Sequence, residues 1–173
     1  MYATLTNAGR AAMLKAISDK VLYFGWGSGD EAWDADSTLQ PNLLESTGLT
    51  NEVGRRLIQV KYFVTPDDDG EISLPESYNA DGTPVMGTYT MSDEPTQYLF
   101  MRVTFDYGDA STETIREVGV FSDTVVSEDA PAGQLYFEPD EVVSGGSLLS
   151  ARHEVATVRD PARKDSYEFI LSL

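Results

Sequence analysis

The sequence predicts an α+β fold, mainly antiparallel β sheet or sandwich, with one N-terminal helix and long loops. Three observations predict it: helical spacing confined to 7–19, two-residue alternation through much of 21–173, and long polar connections containing Pro and Gly. At 173 residues, we expect a single domain over 1–173 with one core. The 41% hydrophobic content is too high for a disordered acidic chain.

The helix is predicted over 7–19, where small and apolar residues recur at helical spacing. These residues are Ala8, Gly9, Ala12, Met13, Ala16 and Ile17. Thr6 or Asn7 is suited to cap the first turn. Because the stripe consists mostly of small residues, we expect the helix to lie close against a sheet as ordinary core structure.

The β core is predicted over 21–173. Apolar runs and alternation indicate strands at 21–26, 57–65, 97–107, 115–122 and 134–137. The chain then closes with 148–158 and 166–173, which are separated by a turn through Asp160-Pro161-Ala162 and together predict a β-hairpin.

One connection is longer than the others and is predicted to be an extended loop or arm over 66–95. It contains prolines at 66, 75, 84 and 95, and Asp-Gly pairs at 69–70 and 81–82. Connections of more than about 12–15 residues are usually functional. We therefore expect this arm to become ordered on contact with another subunit.

The charge balance limits the possible partners. With 12 Lys and Arg against 29 Asp and Glu, the formal charge is −17, which predicts neither a nucleic-acid nor a membrane partner. The absence of Cys excludes disulfides and thiolate metal sites. There is no signal-peptide pattern and no apolar run of membrane-spanning length, so we expect synthesis and folding in a cytoplasm.

No motif predicts catalysis or a cofactor. Residues 27–32 fit G-x-G-x-x-A, but Asp30 and Glu31 would repel a pyrophosphate, so a tight turn with positive φ at glycine is expected instead. His153 is the one histidine, and we expect a strand residue satisfied by a neighbour. The prediction is that the protein is not an enzyme. A glycosidase built on paired carboxylates is a weak alternative, because among 29 acids some pair always fits.

An Asp-rich loop offers a calcium alternative. With Gly70 at the sixth position of an EF-hand, Asp67, Asp69 and Glu76 fill the third, fifth and twelfth. Thr65 occupies the first ligand position, and Pro66 excludes a flanking helix. We predict no metal site, retain these three acids as weak candidates, and keep a calcium-dependent or carbohydrate-binding β domain as the alternative function.

Basic residues are concentrated near the C-terminus. The cluster consists of Arg152, Arg159, Arg163 and Lys164. Only Glu154 and Asp160 oppose it, giving a local charge of +2. These four side chains are candidates for contact with an acidic neighbour through electrostatic complementarity, or they are simply the charged tip of the predicted hairpin.

Three stretches resemble a known group of proteins. The first is Leu5-Thr6-Asn7-Ala8-Gly9-Arg10 with its helix, followed by Tyr23-Phe24-Gly25-Trp26-Gly27-Ser28-Gly29-Asp30. The second is Ile115-Arg116-Glu117-Val118-Gly119-Val120-Phe121, and the third is the closing pair of alternating strands. Together they resemble bacteriophage tail-collar fibre and related baseplate-attached tail proteins, in which this module docks on the baseplate and leads into a trimeric fibre shaft.

The resemblance implies a structural virion protein of a phage or prophage tail. Because the sequence ends at Leu173 without a shaft, we expect a baseplate component or an adaptor that attaches tail fibres, rather than a receptor-binding protein. The implied partners are other tail and baseplate subunits and tail fibre proteins, contacted by multiple copies in the virion after assembly in the host bacterial cytoplasm.

Overall fold

The computed structural model describes residues 3–79 and 83–173. Within them it has one α-helix, α1 (Asn7–Ser18), and twelve strands. The strands are β1 (Leu22–Gly27), β2 (Glu52–Leu57), β3 (Val60–Pro66), β4 (Ile72–Tyr78), β5 (Pro84–Met91), β6 (Tyr98–Phe105), β7 (Thr114–Ser122), β8 (Val125–Val126), β9 (Tyr136–Phe137), β10 (Val142–Ser144), β11 (Ser147–Val158) and β12 (Asp165–Ser172). The registered strand pairs are antiparallel, which confirms the predicted fold class.

The chain groups into two compact units. The first consists of Met1–Asp19, Val60–Arg102 and Tyr167–Leu173, and the second of Lys20–Gln59 and Val103–Ser166. The first unit holds α1 and most of a five-stranded sheet in the order β12-β6-β3-β5-β4. The second holds a five-stranded sheet in the order β11-β7-β1-β2-β9 and the pair β10-β8. The single-domain organisation stays a prediction.

The N-terminal helix begins where its cap predicts. Thr6 Oγ1 accepts a hydrogen bond from the Gly9 N–H at 3.1 Å. The predicted small-residue stripe is wrong, however, because the buried position is Leu14, whereas Met13 is half exposed. Burying a leucine removes far more apolar surface from water than burying alanines, so the face that contains Leu14 turns inward.

The predicted extended loop or arm over 66–95 is wrong, because β4 and β5 occupy half of it and pair within a sheet. They pair antiparallel with Ile72 opposite Tyr89. Leu74 and Tyr89 are buried in one cluster with Val64 and Phe100. The prolines obscured this hairpin in the sequence, but a proline is tolerated in β4 because that strand lies at the edge of its sheet. The Asp-Gly pair at 81–82 falls outside the described residues.

The predicted closing hairpin is also wrong. β11 pairs with β7, whereas β12 lies next to β6 in the other five-stranded sheet. Alternation shows that each strand has one buried face, but it does not specify which strand lies beside it. The turn that follows β11 therefore carries the chain from one sheet to another.

Two glycines of the sequence motifs face each other at the centre of the second unit. Gly25 of β1 pairs with Gly119 of β7. A Cβ would lie 3.2 Å from Leu49 Cδ1 if built on Gly25, and 3.1 Å from Leu49 Cδ2 if built on Gly119. The pair therefore leaves the space that Leu49 occupies on the sheet.

Glu117 is a buried carboxyl on β7, 1% exposed, and it accepts a hydrogen bond from the Thr50 N–H. Burial raises the pKa of Glu117 above its ordinary 4.5. The folded state therefore binds this proton more tightly than the unfolded state, and stability is lost as pH rises from 4.5 through the raised pKa.

Replacing Glu117 with glutamine should therefore raise the free energy of unfolding at pH 7 by about 1 kcal/mol, because the buried side chain no longer carries a charge at that pH. The amide oxygen can still accept the Thr50 N–H. Urea denaturation at pH 7 and pH 4.5 measures this gain, which should shrink at the lower pH. Glu113→Gln, at an exposed position, is the matched control and should change stability little at either pH. An equal gain for Glu117→Gln at both pH values would contradict the prediction.

Candidate functional site

A pocket of about 400 Å³ lies in the second unit. Its walls are the 3₁₀ helix Glu31–Asp34, Arg116 of β7 and residues 153–156 of β11, with Gln40 at one side. These segments are far apart in the sequence, and the fold of the second unit brings them together. We call this region the bulge site, because its most exposed part is a bulge in β11.

The turn before the 3₁₀ helix sets the position of Trp33. Gly29 has φ +60°, and a Cβ there would lie 2.4 Å from Trp33 Cζ3. Asp30 Oδ1 accepts a hydrogen bond from the Ala32 N–H at 2.8 Å and so caps the helix. The predicted positive φ is thus confirmed at Gly29. The carboxylate of Asp30 therefore already accepts the hydrogen bond of a helix N-terminal N–H group that a phosphate would need.

Arg116 fixes the other side of the 3₁₀ helix. Its Nε and Nη2 donate to Asp34 Oδ1 and Oδ2, each at 2.8 Å, and its Nη1 donates to Ser28 O at 2.9 Å. This paired geometry is typical of a strong Arg–carboxylate contact. The hydrogen bond from Arg116 holds the pKa of Asp34 below its usual value. The arginine of the 115–121 motif is therefore a structural residue.

His153 forms part of the pocket wall. Its ring lies edge-on to Trp33, with 5.4 Å between ring centroids and 62° between planes. Burial lowers the pKa of His153, so the imidazole is neutral at pH 7. The hydrogen-bonding neighbour expected from the sequence is not found at Nε2, which has no partner within 3–79 and 83–173.

The bulge in β11 exposes apolar side chains next to the pocket. His153 lies opposite Glu117 and Thr157 opposite Ile115, so residues 154–156 face one residue of β7. Val155 is 87% exposed and Val158 is 62% exposed. Because β11 is an edge strand, its outer side has no neighbouring strand in the described part of the chain. The main-chain groups on this side are therefore available for pairing with another strand.

The surroundings of the bulge site are acidic. Arg116 also lines a second pocket, of about 520 Å³, together with Asp30, Glu31 and Glu113. Asp34 and Glu154 line the first pocket, and Arg152 pairs with Glu154 at 2.7 Å. These five carboxylates and two guanidinium groups leave a net charge of −3 around the site.

Of the four basic residues predicted to contact a partner, Arg159 is buried, which corrects the prediction for this residue. It is 2% exposed, and its Nη1 donates to Asp160 O at 2.9 Å, Arg163 O at 2.8 Å and Asp165 Oδ2 at 2.9 Å. A side chain in this position cannot reach a neighbouring protein. The sequence pattern missed this role because the sequence does not show which of four nearby basic residues has buried partners.

The other three predicted contact residues are exposed. Arg152 pairs with Glu154, Arg163 with Asp165 at 3.1 Å, and Lys164 with Asp106 at 3.2 Å. Exposed ion pairs of this kind contribute little to stability. Their role in binding a partner stays a prediction.

The weak metal candidates occupy a turn and a strand of the first unit. Asp67 Oδ1 accepts the Asp69 N–H at 3.1 Å and its Oδ2 accepts the Thr90 hydroxyl at 2.6 Å. Glu76, on β4, accepts the Tyr89 hydroxyl. Within the described ranges, no three His, Asp or Glu side chains form a group able to hold a metal ion. The calcium alternative gains no support from these positions.

Comparison with known proteins identifies the family. A sequence model of the family described as "Baseplate wedge 3 tail fiber network component" matches residues 2–173. The chain belongs to this family. The resemblance to baseplate-attached tail proteins is thereby confirmed, and the role is that of a structural component of the phage baseplate, located in the virion tail and associated with other baseplate and tail fibre components.

No curated protein matches the chain. Across the residues that the structure covers, no helix combines the length and the apolar character needed to cross a membrane.

Proposed function

We propose that this baseplate component is a non-enzymatic adaptor that attaches tail fibres to the baseplate. It acts in multiple copies by protein–protein contacts, without nucleic-acid or membrane partners, after assembly in the host bacterial cytoplasm. The observation that carries the proposal is β11, a 12-residue strand at a sheet edge with an exposed bulge at Val155.

A long strand at an open sheet edge suits an adaptor, because its unpaired main-chain groups can bind another chain. Proteins that act alone usually protect long sheet edges with charges, prolines or covering segments, because an open edge pairs readily with other chains. At β11, two well-exposed valines lie on the open edge. An edge of this kind is favourable in a subunit whose role is to bind neighbours in a large assembly.

The three exposed basic residues Arg152, Arg163 and Lys164 support a second contact within this function. Each is paired with a carboxylate of its own chain, so an acidic partner would have to compete with that carboxylate. We propose that they adjust the orientation of a partner through charge complementarity, a role that affects association rate more than affinity.

The adaptor function predicts that phage particles made without this protein will lack tail fibres. A nonsense mutation in its gene, grown in a non-suppressing host, should give tails whose mass-spectrometric fibre content falls at least tenfold. The physical reason is that the fibres lose the surface on which they attach. A plasmid copy of the wild-type gene should restore fibres and infectivity.

Tail tube and sheath proteins, measured in the same particles, are the control for general assembly. Normal fibre content in particles that lack the protein would contradict the adaptor function. Loss of the entire tail, with no fibreless particles, would also contradict it, because the protein would then be needed for tail construction rather than for fibre attachment.

A further inference from the structure

We propose that the bulge site binds an extended, basic segment of a partner baseplate or tail fibre protein. The segment adds as a strand to the edge of β11 and places one apolar side chain in the pocket beside Trp33. This inference rests on the proposed adaptor function and names the binding surface and the chemistry of its partner.

The first argument is the availability of main-chain hydrogen-bonding groups. β11 continues through twelve residues, yet its pairing with β7 is interrupted at 154–156. The bulge bends and twists β11, so the strand edge fits a flexible extended segment better than the edge of another rigid sheet. A partner strand that follows the twisted edge satisfies the outer N–H and C=O groups, and strand addition of this kind derives its affinity from main-chain bonds.

The second argument is the pocket next to the edge. Strand addition gains specificity when alternate side chains of the added strand enter pockets. The pocket of about 400 Å³ has Trp33 and His153 in its wall, and both rings offer apolar surface. Val155 lines the pocket and is 87% exposed, so a bound segment would cover the most exposed of these apolar groups.

The third argument is charge, which selects among possible partners. The surroundings of the site carry a net charge of −3, in a chain whose formal charge is −17. A second copy of the chain would bring the same acidic surface and would be repelled. Because Asp34 and Glu154 are already paired with Arg116 and Arg152, lysine or arginine side chains on a partner segment would instead lie opposite Asp30, Glu31 and Glu113, which supply the net negative charge.

A crosslinking experiment on assembled particles tests the inference. The photoreactive residue p-benzoylphenylalanine replaces Val155 in one phage and Val143 in another. Val143 is the matched control, since it is 71% exposed in the same unit but lies on β10 rather than on β11. We expect an adduct at position 155, mapped by mass spectrometry to an extended, Lys- or Arg-containing segment of a baseplate or fibre protein, and at least tenfold less at position 143.

A second pair of variants keeps the test independent of crosslinking chemistry. Val155→Lys places a charge on the edge and repels a basic segment, whereas Val143→Lys makes the same chemical change elsewhere. Both valines are exposed, so neither variant should unfold the protein. We expect at least a tenfold loss of fibre-bearing particles for Val155→Lys and a normal number for Val143→Lys.

Several outcomes would overturn the inference. They are an adduct at position 155 with a second copy of this chain, an adduct with an acidic segment, no adduct at 155, and normal fibre attachment in Val155→Lys. If particles lacking the protein are fibreless but Val155→Lys particles carry fibres, the adaptor function stands and the bulge site is wrong. If particles lacking the protein keep their fibres, the adaptor function itself fails.

Discussion

Replacing Arg159 with methionine should lower the free energy of unfolding by about 3–5 kcal/mol, the cost of breaking a buried ion pair by removing one partner. The guanidinium donates to Asp165, to the main-chain oxygens of Asp160 and Arg163, and through Nη2 to Asp106 O. It also lies 5.5 Å from the centroid of the Trp26 ring. Methionine fills similar volume but leaves the main-chain oxygens of Asp160, Arg163 and Asp106 without this donor, and Asp165 keeps only Arg163.

The control for Arg159 is its neighbour in the same turn. The Arg163 side chain is 56% exposed and pairs with the same Asp165. Arg163→Met should therefore cost less than about 1 kcal/mol. Urea denaturation followed by circular dichroism compares the two variants. Equal losses would contradict the prediction, because they would show that the burial of Arg159 does not determine its contribution to stability.

Replacing Trp26 with alanine should lower the free energy of unfolding by about 3–5 kcal/mol, as is typical for a buried aromatic side chain. Trp26 is fully buried on β1 and is stacked on Phe105, with 3.4 Å between ring centroids and 13° between planes. The substitution would leave a cavity between β1 and the ring of Phe105, and it would also remove the ring below the Arg159 guanidinium.

Trp26→Phe provides the comparison, because a phenyl ring can keep the stacking on Phe105. It should lose only about 1–2 kcal/mol. Circular dichroism is the suitable measurement, since the substitutions remove one of the two tryptophans and change the fluorescence directly. If alanine and phenylalanine cost the same, the stacking would not be the source of the stability.

Trp26 belongs to the 23–30 motif, and its position shows what the family-like motifs contribute. Trp26, Gly25 and Gly119 lie in the buried centre of the second unit, and Arg116 joins β7 to the 3₁₀ helix that carries Trp33. The motifs therefore build the framework of the unit. We propose that contact with partners falls instead to Val155 and its neighbours on β11, which lie outside the motifs at 5–30 and 115–121.

The bulge site was not predicted from the sequence, although one signal for it exists. The run Val155-Ala156-Thr157-Val158 breaks the alternation of the strand before it, which is what a bulge with exposed apolar residues produces. Trp33 could not be recognised as its neighbour, because 120 residues separate it from His153 and only the sheet brings them together.

The sequence by itself determined the fold class, the helix, most strands and the family resemblance, because these depend on local spacing and short motifs, and it limited the helix cap to Thr6 or Asn7. It did not reveal β2, whose charged residues include Arg55, and it took β4 and β5 for an arm. Arg55 is buried, and the cost of burying its charge is offset by the ion pair with Glu52 and the contact with the Phe121 ring.

Only the tertiary structure decided which strands are neighbours, which cations are buried and which edge is open. The reason is physical: alternation fixes the face of a strand, but partners distant in the sequence fix its pairing and the burial of its charges. Arg159 and Val155 illustrate this dependence: the charged side chain of Arg159 is buried, whereas the apolar side chain of Val155 is exposed to solvent.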